Sequence, residues 1–71
     1  MKTAHIHVSI RGYSYNSTFE TDGPEYLIAD EAYRVALLFA ETCVMIEYGH
    51  ALSGYEFGIF LEDLDYSYTI V

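Results

Sequence analysis

The sequence predicts an α+β fold in ββαββ order: a four-stranded antiparallel sheet with one helix packed on one face. Three observations carry this. A 3.6-residue apolar period runs through Asp30–Gly49, DEAYRVALLFAETCVMIEYG. Residues alternate with period two on either side of that stretch. The breaks within each flank are short, which favours antiparallel hairpins. The 71 residues are read as a single domain, 1–71, with no internal repeat and no low-complexity tract.

The first strand is TAHIHVSIR, Thr3 to Arg11. Ala4, Ile6, Val8 and Ile10 face one side, and His5, His7, Ser9 and Arg11 the other, the pattern of a half-buried strand. The first hairpin can close at Gly12 or at Asn16-Ser17. Tyr13, Tyr15 and Phe19 alternate with Ser14, Thr18 and Glu20 and continue the strand pattern to about Thr21. Asp22-Gly23-Pro24 breaks it. EYLIA, Glu25 to Ala29, is read as a lead-in loop, the alternative being a first helical turn opened by Pro24.

The helix takes Asp30 as N-cap and Gly49 as C-cap, with Glu31 favourable to the dipole in the first turn. At about 100° per residue, Ala32, Val35, Ala36, Phe39, Ala40, Cys43 and Ile46 gather on one face. Asp30, Arg34, Leu38, Glu41, Met45 and Tyr48 lie opposite, and Glu47 turns toward the apolar side. His50 to Gly54 is a linker. Tyr55–Leu61 is read as the third strand, Glu62-Asp63 as a turn, and Leu64–Val71 as the fourth strand, with Asp65, Ser67 and Thr69 alternating against Leu64, Tyr66, Tyr68 and Ile70.

Composition narrows the function classes. The lone cysteine, Cys43, excludes an intrachain disulfide, and its place on the core face reads as a small buried hydrophobe rather than a reactive thiol. A reducing, cytoplasmic setting fits that usage. No stretch has the form of a signal peptide, and the longest apolar run, Val35–Ala40, is far short of the roughly 20 residues of a membrane span. No nucleophile motif and no phosphate-cradling glycine loop is present, so the chain is read as non-enzymatic and without a cofactor. His5 and His7 form an H-x-H pair, but that spacing is shared by any two polar residues on one strand face, and no metal site is assigned.

Charge is the informative quantity. Eleven acidic residues against three basic ones give −8, a field that repels nucleic acid and membranes and attracts basic surfaces. Glu20, Asp22 and Glu25 cluster at the entry to the helix, and Glu56, Glu62, Asp63 and Asp65 around the final hairpin. Eight tyrosines are interleaved with them, and because a single helix covers only one face of the sheet, several are expected to be partly exposed among the carboxylates. These nine residues, Glu20, Asp22, Glu25, Glu56, Glu62, Asp63, Asp65, Tyr66 and Tyr68, are the candidate partner-binding set. The expected partner is a basic nucleic-acid-binding protein, whose phosphate-contacting surface an acidic protein can occupy. The alternative is a regulatory or structural interaction domain, antitoxin-like or a subunit of an assembly, binding through a tyrosine-rich sheet face. A homodimer could also bury that face.

In size, in its single helix between two hairpin-like halves, and in the acidic clusters at Glu20–Glu25 and Glu56–Asp65, the chain resembles the small phage-encoded anti-CRISPR proteins. The resemblance implies inhibition of a bacterial CRISPR effector, a type I Cascade complex first, by occupying its DNA- or PAM-binding surface in the host cytoplasm. Some members of that group act as DNA mimics. The resemblance assigns no individual residue.

Overall fold

The computed structural model describes residues Met1–Val71. The α+β class holds, but the sheet has three strands, not four. β1 (Lys2–Ile10) lies between β2 (Tyr13–Thr21) and β3 (Asp65–Ile70) and is antiparallel to both. The alternation in β1 translates directly into packing. Ala4, Ile6, Val8 and Ile10 are buried, while His5 and His7 are exposed. The hairpin closes at Arg11-Gly12, whose φ values of 48° and 86° are those of a two-residue turn matching the strand twist. Asn16-Ser17 therefore lies inside β2, opposite His7 and Ile6, and Asn16 finds its partner in the His7 ring rather than in a turn.

The helix α1 spans Glu25–Tyr48 and starts five residues before the predicted cap (Asp30 to Glu25). Pro24 is the N-cap, its carbonyl accepting the Leu27 N–H at 3.1 Å. Asp30 is consequently an exposed mid-helix residue, and EYLIA is helical because Ile28 lands on the buried stripe. At the other end Gly49 takes φ 76° and donates its N–H to the Met45 carbonyl, the expected glycine termination. Ala32, Ala36 and Ala40 repeat every fourth residue and are fully buried, so small side chains allow α1 to lie close on β1. Ile6, Val8, Ala32 and Ala36 form one half of the core, with Phe19, Val35, Phe39 and Tyr68 around them.

The predicted third strand, Tyr55–Leu61, is instead the helix α2 (Gly54–Phe60), continued by a 3₁₀ turn at Leu61–Asp63. Its local cause is the Ser53 N-cap. The Ser53 hydroxyl oxygen accepts the Glu56 N–H at 3.3 Å, and the same hydroxyl donates to Glu56 Oε1 at 3.0 Å. Phe57, Phe60 and Leu61, spaced three and four apart, then share one side and pack with Ile10, Ala40, Cys43 and Val44 into the second half of the core. There is no final hairpin; the 3₁₀ turn leads straight into β3. α2 also explains Ile46, assigned to the core face yet 64% exposed. With Leu52 and α2 covering the Val44 side of α1, the buried stripe turns toward Val44 and leaves Ile46 outside. No helix is long and apolar enough to cross a membrane.

Candidate acidic interaction surface

The strand registers place the tyrosines first. Tyr13 and Tyr15 pair with Ile10 and Val8, and Tyr66 and Tyr68 with Val8 and Ile6, so all four stand on the helix-covered face. The open face of the sheet therefore carries no tyrosine, and Tyr66 is partly exposed, at 39%, on the covered side. Tyr68 is half-buried against the core, and the Tyr66 ring meets Tyr33 of α1 at 6.0 Å. The tyrosine-rich sheet face required by the alternative reading does not exist. The well-exposed tyrosines are Tyr26 and Tyr33 on α1 and Tyr55 on α2.

The open face carries hydroxyls, an amide and imidazoles instead. His5 lies between Thr18 and Thr69, and His7 between Asn16 and Ser67. Together they line a shallow depression of about 480 Å³. His7 Nδ1 and Asn16 Oδ1 are 2.7 Å apart across the strands. No three His, Cys, Asp or Glu side chains come together as a metal site there or elsewhere.

The acidic residues flank this face. Glu20 sits opposite Thr3 at one end, and Asp65 opposite Ser9 at the other. Those rows lie six positions apart on β1 (Thr3 to Ser9), about 20 Å at strand rise. Asp22 and Glu25 accompany Glu20, and Glu56, Glu62 and Asp63 gather with Asp65 on α2 and the 3₁₀ turn; all seven are exposed. The structure thus places the predicted carboxylates in two groups, beside opposite ends of β1.

The two groups differ in neutralisation. At the Glu20 end, the terminal ammonium pairs with Asp22 at 3.2 Å, and Lys2 Nζ donates to the Gly23 carbonyl at 3.3 Å. The remaining cations serve the fold. Arg34 forms a two-pronged pair with Glu31 on α1, which raises its pKa further, chiefly through the hydrogen bond to Glu31. Arg11 lies 3.5 Å from Glu47 and 5.1 Å above the Phe60 ring, joining the hairpin turn to both helices. Glu56, Glu62, Asp63 and Asp65 form no ion pair with any of these. The helical period only turns Glu47 toward the apolar side; its pairing with Arg11 depends on how the hairpin turn meets the helix end, which no local pattern encodes. No known protein family, characterised protein or solved structure matches the chain.

Proposed function

We propose that this protein is a non-enzymatic inhibitor that docks its acidic surface on a basic protein surface built to hold nucleic-acid phosphates. One observation carries the reading. Every cation of the chain is tied to a group of its own fold, while Glu56, Glu62, Asp63 and Asp65 stand exposed with no cation beside them. Such carboxylates are free to pair with arginine forks and lysines of a receptor. The magnitude limits what is mimicked. Duplex DNA as long as this body, 39 Å, carries about 23 charges at one per ~1.7 Å, against a net −8 here. The surface therefore substitutes for a few phosphates at chosen points rather than for the charge density of a duplex.

The resemblance to anti-CRISPR proteins makes a type I Cascade the receptor to test first, with its DNA- or PAM-binding surface as the docking site. The measurement is binding of the purified chain to purified Cascade at low and high salt, with double-stranded target DNA as competitor. The reading expects capture that salt weakens and DNA displaces. It also expects the triple reversal of Glu62, Asp63 and Asp65 to Lys to lose binding by at least tenfold while keeping its fold. Capture unaffected by salt, DNA and the reversal would refute acidic docking. Absence of capture would remove Cascade as the receptor.

A further inference from the structure

The free edge of β2 lacks the devices that ordinarily stop an exposed strand from pairing. It is nine residues long, follows β1 in unbroken register from Lys2↔Thr21 to Ile10↔Tyr13, and contains no lysine, proline or bulge, its one charged residue being Glu20 near an end. The two-residue turn makes Ile10 and Tyr13 a hydrogen-bonded pair, so Tyr13, Tyr15, Ser17, Phe19 and Thr21 spend their backbone groups on β1. The same phase holds on the other side of β1, where the Thr3 carbonyl accepts the Val71 N–H at 2.8 Å. Ser14, Asn16, Thr18 and Glu20 therefore aim their N–H and C=O groups outward, away from the sheet.

Beside this edge, on the helix side, runs a groove of about 530 Å³ with Tyr15 and Ser17 on the strand and Val35, Leu38 and Phe39 on α1. Tyr15 stacks on Phe39 at 5.3 Å yet stays 45% exposed, and Leu38 is 49% exposed. The β3 edge is not equivalent. It is six residues long, and Tyr33 against Tyr66 occupies the helix side there.

We propose that β2 pairs with β2 of a second copy, antiparallel about a two-fold axis at Ser17, forming one six-stranded sheet with both α1 helices on the same face. The register follows from self-complementarity. With Ser17 opposite Ser17, Asn16 meets Thr18 and Ser14 meets Glu20 of the second copy, so every outward backbone group is paired. On the helix side the small Ser17 pair is flanked by Tyr15 opposite Phe19, an aromatic pair repeated by symmetry. No two carboxylates stand directly opposite. Shifting the register by one pair in either direction leaves an end of the ladder without a partner. The wall that meets is about 30 Å long at strand rise, and its depth is taken as the thinnest dimension of the body, 17 Å. That gives about 500 Å² per copy and about 1,000 Å² in total, the threshold for a specific interface. Because each copy is acidic, added salt should strengthen this association, opposite to its effect on docking to a basic receptor.

Sedimentation velocity on the full chain, from low micromolar to near-millimolar concentration, tests the proposal. The expected mass rises from 8.1 kDa to twice that value, more readily at higher salt. Thr18→Pro removes one outward N–H without touching the bonds to β1 and should shift the chain to monomer with unchanged circular dichroism. Register is read by cysteine cross-linking. Ser17→Cys should oxidise to a covalent dimer, since facing residues of a non-hydrogen-bonded pair lie about 4.5 Å apart, within disulfide reach. Ser14→Cys should not, and the native Cys43 is buried. A monomer at every concentration overturns the proposal and leaves the edge to a strand from another protein. A dimer in which Ser17→Cys fails to cross-link also overturns it, pointing to the β3 edge or the open face. If Thr18→Pro unfolds, the cross-linking pair decides.

Discussion

At the scale of single residues, Phe60 and Cys43 have the clearest consequences. Phe60 is 2% exposed, is stacked near Phe57, and carries the Arg11 guanidinium over its ring. Phe60→Ala should cost about 3–5 kcal/mol. A chain of 71 residues has a total stability of only about 4–11 kcal/mol, so the variant should lose about a quarter or more of its folding free energy in urea unfolding. A loss below about 1 kcal/mol would mean that α2 is not part of the core. Cys43 has its thiol pKa raised from the ordinary 9.0, first by burial and then by the nearby negative charge of Glu47. The sign follows from linkage. Below pH 9 both folded and unfolded chains hold the proton. Above it the unfolded thiol ionises first, so the thiol's contribution to stability declines as pH rises through the folded value. Comparing alkaline unfolding of the wild type with Cys43→Ala isolates this slope from tyrosine ionisation, and the slope should be shallower in the variant.

At the scale of elements, α2 depends on its cap. Ser53→Ala should cost about 1 kcal/mol, or about 4–8 °C in Tm for a domain of this size, and Ser53→Asp should restore most of it. An unchanged Tm in Ser53→Ala would mean that packing alone holds α2. The same element marks where the sequence is legible and where it is not. β1, the Gly49 stop and the alanine stripe of α1 were readable because periodicity and burial agree there. Tyr55, Phe57, Ile59 and Leu61 also alternate, but Phe57, Phe60 and Leu61 fit a helix equally well. In so short an apolar run the decisive signal was Ser53 three residues before Glu56, a cap rather than a period. The start of α1 was missed for the converse reason: Asp30 has the chemistry of a cap, but Pro24 already supplied the entry. For the site, the two acidic clusters were legible in the sequence, whereas their separation of about 20 Å along β1 required the strand register. That the open sheet face carries no tyrosine required the register as well: Tyr13, Tyr15, Tyr66 and Tyr68 pair with Ile10, Val8 and Ile6, and directly paired residues share a face.

At the scale of the whole molecule, the charges work against the fold. The ion pairs are local, within 3.5 Å, whereas the unpaired carboxylates repel over much longer distances. Salt shortens the Debye length from about 30 Å at 0.01 M to about 8 Å at 0.15 M, screening the repulsion more than the contacts. The Tm should therefore rise by a few degrees over that range in dilute protein, where the chain is monomeric. A flat or falling Tm would show that the ion pairs outweigh the self-repulsion. The placement of β3 has a consequence of another kind. Ala4 pairs with Ile70 and Val8 with Tyr66, so one edge of the central strand waits for a segment about sixty positions downstream, in a loop whose closure is slow to be rewarded. The hairpin β1–β2 and the helix α1 can assemble from neighbouring sequence as they emerge from the ribosome. The central strand cannot gain its second neighbour until residues 65–70 have been made. Until then the central strand keeps one bare edge even with α1 packed on its apolar row Ala4, Ile6, Val8 and Ile10, and that edge is open to pairing with another chain.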